Sequence, residues 1–494
     1  MIPEEIARRE RLKLIRDAGI DPYPADSGRT HLIHEVLLKF DDLETSADPV
    51  TIAGRMRSKR KHGGVTFITL EDASGRMQVV LHRDSIGAEE YQAFHDRSDV
   101  GDFFDFTGPV FKTQKGEQSI NTVSYKILTK SLLPLPEKWH GLTDTEKRYR
   151  KRYLDFIANP EAIVFAKARA NMVRAIRTFL EDEGFMEVET PILQPIPGGA
   201  NAKPFVTHHN SLHADFYLRI APELYLKRLL VGGFEKVFEF ARCFRNEGIS
   251  PQHNPEFTQV ETYWAYATIE QLTDHLERMF VTALKAVTGG NKLMIDGKEF
   301  TINIPLPRHT FHDVVQKESG IDLDNFTDEA SLRTEISNRN INTKDVVGYG
   351  DLIDHLYKKL VRPKLIEPQF VIDYPSAMKP LAKRREGGQY SASSQLLING
   401  SEVLNSFNEL NDPLEQEERF QEQDALRERG SDEAQHADYD YVTALKHGMP
   451  PAAGYGIGID RLAMLLAGVQ NLKEVILFPT LKPVEDEETN DDSE

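Results

Sequence analysis

The sequence predicts an α+β chain: a small five-stranded β-barrel near the N-terminus, then a larger domain in which helices flank an antiparallel sheet. Three observations predict it. A chain of 494 residues exceeds what one ordinary core organises, so two or three domains are expected. From Thr51 to about Pro134 short alternating runs follow one another between turns, namely Val65–Leu70, Met77–Leu81, Phe103–Phe106 and Ser119–Tyr125, the period of half-buried strands. From Val237 to Trp264 two more alternating runs flank a polar loop holding Gly248, Pro251 and Pro255, the pattern of an antiparallel hairpin.

The elements follow in order. Residues 1–50 read as a helical arm and a loop, because Ile6, Leu12, Leu14 and Ile15 recur among charges before Asp21-Pro22. Residues 51–135 form the barrel; the OB-fold is the common barrel of this size that binds single-stranded nucleic acid. Pro134 and Pro136 open a linker, 136–160, that carries a basic run. The larger domain spans 161–483. In it Met172, Ile176, Phe179 and Leu180 fall at helical spacing before Gly184, a strand Phe185–Glu189 follows, and about 268–371 reads as an insertion without chemistry of its own. The tail 484–494 carries seven acids and no base, so it is expected to be disordered.

Composition narrows the function classes. Hydrophobic residues at 40% and charged residues at 28% suit a soluble globular protein. No apolar run approaches the roughly 20 residues of a membrane span, and the charged first ten residues do not resemble a secretory signal. The single cysteine, Cys243, forms no internal disulfide, which fits the cytoplasm. A formal charge of −18 repels polyanions at long range, so a nucleic-acid site requires local basic patches. Arg55, Arg57, Lys59, Arg60 and Lys61 form one candidate; Lys147, Arg148, Arg150, Lys151 and Arg152 form the other.

In the hairpin, period-two parity puts Glu239, Ala241, Cys243 and Arg245 on one face, with Phe257, Gln259, Glu261 and Tyr263 beside them. Charges on a strand face must be solvated, paired or bound to ligand, because burying an unpaired charge costs several kcal/mol.

FRNEG at Phe244–Gly248 with HNPEFT at His253–Thr258 resembles motif 2 of the class II aminoacyl-tRNA synthetases. FMEVETPIL, Phe185–Leu193, resembles motif 1, and GYGIGIDR, Gly454–Arg461, resembles motif 3. PGGANAKPF, IAPELYLKRL and FNELND, starting at Pro197, Ile220 and Phe407, resemble the lysine-specific members. The likeness runs from the barrel to Phe478.

That resemblance implies activation of lysine by ATP and transfer of the lysyl group to tRNA(Lys). Arg245 would bridge the lysine carboxylate and the α-phosphate, a task suited to a planar guanidinium fork. Phe257 would stack on the adenine, Glu247 would accept from its amine, and Arg461 and His253 would serve the other adenine face and the γ-phosphate. Glu223 and the Gly199 backbone would hold the α-ammonium, Glu409 and Tyr263 the ε-ammonium, with Glu261 adding to the field, Asn405 reaching the carboxylate and Phe407 lining the stem. Phe67, Gln78 and Glu117 match anticodon-reading positions in the barrel. Mg²⁺ would bridge the ATP phosphates through Glu402, with Gln395 the second candidate ligand. Motif 1 implies a two-fold homodimer with Pro191 near the interface.

The sequence departs from the resemblance at Gln395, an amide where an acid is usual, and at Ser406. Strand parity also sets Glu402 opposite to Asn405 and Glu409, so either a bulge intervenes or Glu402 faces away. Two alternatives stay open: an aspartate- or asparagine-specific member of the same subgroup, disfavoured by the acids Glu261 and Glu409, and a catalytically silent RNA-binding relative, favoured by Gln395.

Overall fold

A computed structural model describes residues 2–136, 142–344, 346–429 and 436–483; the acidic tail predicted at 484–494 lies outside the described residues. The chain separates into two compact units, Met1–Asp144 and Thr145–Glu494.

The first unit is built on seven strands: β1 (Val50–His62), β2 (Val65–Glu71), β3 (Arg76–His82), β4 (Phe103–Gly108), β5 (Val110–Lys112), β6 (Gln118–Asn121) and β7 (Ser124–Thr129). They form one sheet in the order β5-β6-β3-β2-β1-β4-β7. The five strands expected for the barrel are therefore seven, in a sheet that does not close. The run 119–125 splits in two, because Thr122 and Val123 leave the ladder to bond Val80 and Thr107, and the ladder stays open between β5 and β7. Strand β1 makes the curvature: its first half pairs with β4, its second half with β2, and a bulge at Arg57 bends it between them. The N-terminal segment is more than an arm. Ile15, Ile33, Val36 and Phe40, from three helices, enter the same core as Ile52, Leu70 and Phe106, while Ile6 and Leu14 stay exposed.

The second unit centres on an eight-stranded sheet. Its strands in chain order are β8 (Met186–Glu187), β9 (Lys236–Phe244), β10 (Glu256–Ala265), β11 (Arg308–Thr310), β12 (Gln369–Ile372), β13 (Ser393–Ile398), β14 (Ser401–Asn408) and β15 (Ala452–Gly458). They lie in the order β11-β12-β13-β14-β15-β10-β9-β8, antiparallel except at β8–β9 and β11–β12. The predicted hairpin is β9–β10, with Glu239 opposite Glu261 and Cys243 opposite Phe257. Helices Pro160–Asp182, Ile269–Thr288 and Ile459–Leu466 bury Ile176, Leu276 and Leu462 against it.

The stretch 268–371 is not a separate insertion in this arrangement. The helix Ile269–Thr288 is amphipathic, N-capped by Thr268 and ended by Gly289 in the left-handed region; its apolar face belongs to the central core. Strands β11 and β12 extend the sheet. Between them a satellite core gathers Phe311, Leu332, Leu352 and Val361. Part of the segment expected as a linker is also ordered, as helices Thr145–Arg150 and Arg152–Ala158.

Candidate active site

A single cavity opens over β10, β14 and β15. Gly199, Glu223, Arg245, Glu247, His253, Phe257, Glu261, Tyr263, Glu402, Asn405, Phe407 and Arg461 all line it. Residues far apart in sequence meet because the faces predicted by parity coincide, and because β14 is irregular. Leu396 pairs with Leu404 but Leu397 pairs with Glu402, so Val403 is an extra residue on β14. This bulge flips the parity and brings Glu402 and Asn405 to the same cavity.

One end of the cavity is cationic. Arg245 follows β9 with its guanidinium 5.0 Å from the Phe257 ring centroid, and its buried Nε has no hydrogen-bond partner. Arg461 opens a helix straight after β15 and donates through Nε to the Gln252 carbonyl at 3.3 Å. Neither arginine has a carboxylate within ion-pair distance among the described residues. His253 is tied to Ser250 Oγ at 2.8 Å; burial, then Arg461 and Arg245, hold its pKa below the usual histidine value, leaving a neutral ring at neutral pH. The Glu402 carboxylate has neither ion pair nor hydrogen bond among the described residues. A free carboxylate in the wall beside cations fits a site for a divalent ion carried in with phosphates.

The other end is acidic. Glu261 is buried on β10 and accepts from Gln259 Nε2 at 2.6 Å and from Tyr263 Oη at 3.0 Å. Burial, then the charge of Glu223, raises its pKa well above the ordinary value. Glu223 begins the helix Glu223–Val231, and four residues on, over the same helical face, Lys227 meets it at 2.7 Å. The fully buried Lys227 ammonium also lies 2.5 Å from Glu409 Oε2.

Two residues expected in the site do not line the cavity. Glu409, 1% exposed, sits one layer behind it. Its Oε1 finds no donor and lies so near Gly454 that a Cβ there would come within 2.4 Å. Burial pushes the Glu409 carboxyl up to about 8, with Lys227 pulling it down. Gln395, on β13, faces Asn405 across the ladder. Lys379 Nζ, which only donates, holds Asn405 Oδ1 at 2.7 Å, and Gln395 Nε2 donates to the same oxygen at 3.2 Å. Gln395 is thus placed beside Asn405, which its amide steadies, and is not among the residues that line the cavity.

Sequence reasoning missed Lys227, Lys379 and Asp460. Asp460 accepts from Arg169 at 2.8 Å and from the Thr258 backbone N–H at 2.9 Å, fixing β10 against the helix that bears Arg461. The Glu223–Lys227 spacing was a readable helical pair; Lys379 lies in a loop, where no periodicity marks it.

In the first unit Phe67 is half-buried on β2, with Gln78 on β3 opposite Thr69. Phe67 and Thr69 share a face, where Gln78 Nε2 donates to Ser119 Oγ at 2.9 Å. Glu117 is exposed just before β6. Arg60, paired with Phe67 across the ladder, and Lys61 are also exposed, whereas Arg55 stacks on Phe103 and Arg57 bonds Glu71. The second basic run is largely structural. Arg148 bonds Asp155 and Glu474, Arg152 is buried against Asp155, and Arg150 pairs with Glu146. Lys147 and Lys151 of this run are exposed. Among the described residues no helix is long and apolar enough to cross a membrane.

Comparison with known proteins agrees with this geometry. Residues 144–482 match the family model of tRNA synthetases class II (D, K and N). The chain belongs to that family. Residues 50–128 of the synthetase match an OB-fold nucleic acid binding domain. Similar relatives include the lysine–tRNA ligase of Pelotomaculum thermopropionicum, 46% identical over 97% of this chain and 94% of the relative. That of Carboxydothermus hydrogenoformans is 46% identical over 96% and 97%. The lysine–tRNA ligase of Moorella thermoacetica is 44% identical over 97% and 98%.

Proposed function

We propose that this synthetase is a lysine–tRNA ligase, which activates L-lysine with ATP to lysyl-adenylate and transfers the lysyl group to tRNA(Lys). The observation that carries the reading is the polarity of the cavity: Arg245 and Arg461, without ion pairs among the described residues, at one end, and buried Glu223 and Glu261 at the other, with buried Glu409 behind them. A substrate with two ammonium groups and one carboxylate, bound beside a polyphosphate, has the complementary pattern. An acidic side chain as substrate would meet carboxylates instead, which argues against the aspartate-specific alternative.

No protein nucleophile is needed. A lysine carboxylate oxygen attacks the α-phosphorus, the bond to the β-phosphate breaks, and pyrophosphate leaves; a ribose hydroxyl of the tRNA then attacks the carbonyl and AMP leaves. Catalysis rests on positioning and charge stabilisation. Arg245 holds carboxylate and α-phosphate together while Phe257 stacks on the adenine and Glu247 accepts from its amine. Arg461 and neutral His253 serve the outer phosphates. Glu223 and Gly199 take the α-ammonium, and Glu409, Tyr263 and Glu261 set the field for the ε-ammonium. Phe407 lines the stem and the Asn405 amide donors reach the carboxylate. Glu402 would hold Mg²⁺, which when bound neutralises charge on the departing pyrophosphate.

Phe67, Gln78 and Glu117 read the anticodon by stacking and base-edge hydrogen bonds. Exposed Met186, Ile192 and Leu193, within five residues of Pro191, support a two-fold homodimer, and the enzyme acts in the cytoplasm. Lysine-dependent exchange of pyrophosphate into ATP tests the reading directly. Exchange with lysine is expected; its absence at every Mg²⁺ concentration would favour the silent RNA-binding alternative.

A further inference from the structure

The third cation of the cavity has no role in the scheme above. Lys379 lines the wall between Met378 and Pro380, with its ammonium 4.8 Å from the Tyr374 ring centroid. Its hydrogen bond goes to a neutral acceptor, Asn405 Oδ1, at 2.7 Å, and among the described residues it has no ion pair. The next donor on that oxygen is Gln395, another neutral group, so no carboxylate bonds the ammonium directly among the described residues. Burial lowers the Lys379 pKa, and the more distant Glu402 only partly opposes this. A desolvated ammonium with three donors, one of them bonded to an amide, is costly unless an anion completes it.

We propose that Lys379 is a second cation for the α-carboxylate of the amino-acid substrate, acting beside Arg245 and oriented by the Lys379–Asn405–Gln395 hydrogen-bond chain. The assignment rests on the lysine-ligase reading, which places the carboxylate at Asn405. It also gives Gln395 a purpose: a carboxylate at that position would compete for the Lys379 ammonium, whereas an amide leaves its charge for the substrate. Lys379 thereby helps to select free amino acids over carboxyl-blocked ones before any metal ion arrives with ATP.

The test is calorimetric binding in EDTA, without ATP chemistry, of lysine and of lysinamide, whose carboxylate is replaced by a neutral amide. A charge-assisted hydrogen bond is worth about 1.5–3 kcal/mol, so the preference of the parent for lysine over lysinamide should fall at least about tenfold in Lys379→Met and be retained in Lys379→Arg. Melting curves of all three proteins report folding independently. An unchanged preference in a folded Lys379→Met overturns the proposal. So does a loss seen only with a non-hydrolysable ATP analogue, which would assign the ammonium to phosphate. A parent that binds neither lysine nor lysinamide would refute the lysine-ligase reading instead.

Discussion

Replacing Glu409 by Gln separates recognition of the lysine ε-ammonium from support of the fold. The carboxylate is 1% exposed, so its charge acts through little water. At an effective dielectric of 20, an ammonium about 4 Å away gains about 4 kcal/mol. The Gln carbonyl keeps part of the hydrogen bond, which leaves about 2–4 kcal/mol, or roughly 30- to 1000-fold in kcat/KM for lysine at about 1.4 kcal/mol per decade. The KM for ATP should hardly move. Stability should behave oppositely. The folded carboxyl titrates near 8, raised by burial above its ordinary value of 4.5, so its ionised form costs the fold free energy that is absent below the unfolded pKa and complete above the folded one. Gln removes that cost, and Lys227 keeps Glu223 at 2.7 Å. Pyrophosphate exchange at varied lysine and ATP, with melting curves at pH 8.5, reads both arms. A variant that activates lysine like the parent, or that melts lower while its lysine KM is unchanged, would make Glu409 a structural partner of Lys227 and refute the reasoning.

Binding of lysine should release protons near neutral pH, because an incoming ammonium favours the ionised forms of Glu409 and Glu261, both raised by burial. Affinity should climb from pH 6.5 towards about 8, and calorimetry in buffers of different ionisation enthalpy should detect the release; identical heats and a flat profile would contradict it. Gly454→Ala places a Cβ 2.4 Å from Glu409 Oε1 and 2.6 Å from the Tyr263 ring, so the lysine KM should rise roughly 5- to 150-fold by overpacking of about 1–3 kcal/mol, with the ATP KM intact; an unaltered lysine KM would place the stem elsewhere. Phe67→Ala should lose stacking of about 1–3 kcal/mol in tRNA charging and leave adenylate formation as it was. Equal damage to both steps would show Phe67 to be a core residue.

What was legible in the sequence was what periodicity governs. Parity along β9 and β10 grouped Glu239, Glu261 and Tyr263 correctly because a regular antiparallel ladder obeys a period of two. Parity misplaced Glu402 by one residue, and only a bulge, a local event without its own composition signal, could reconcile it with Asn405. Charge runs were the least legible. Arg148 and Arg152 read like Arg60 and Lys61, yet two of these four are spent on Asp155 and Glu474, residues whose proximity only the tertiary fold creates. Lys379 was invisible for the same reason, since a loop residue acquires meaning from what surrounds it.

The buried lysine and the buried acids belong to one electrostatic arrangement. If ionised, Glu223 and Glu261 at one end of the cavity and Glu409 behind them would put three negative charges close together, too many to keep desolvated in an empty enzyme. Lys227, ion-paired with two of them, cancels one. Protons cancel more, which is the physical content of the raised Glu261 and Glu409 pKa values. With every acid ionised the excess over Lys227 is two negative charges, the number that the two ammonium groups of lysine supply. A neutral amino acid of the same length would bring only one and leave a buried carboxylate either unpaired or protonated. Discrimination against it therefore requires no steric exclusion, because the penalty is the desolvated charge left without a partner. Lys227 sets the size of that penalty by fixing how many acids remain for the substrate.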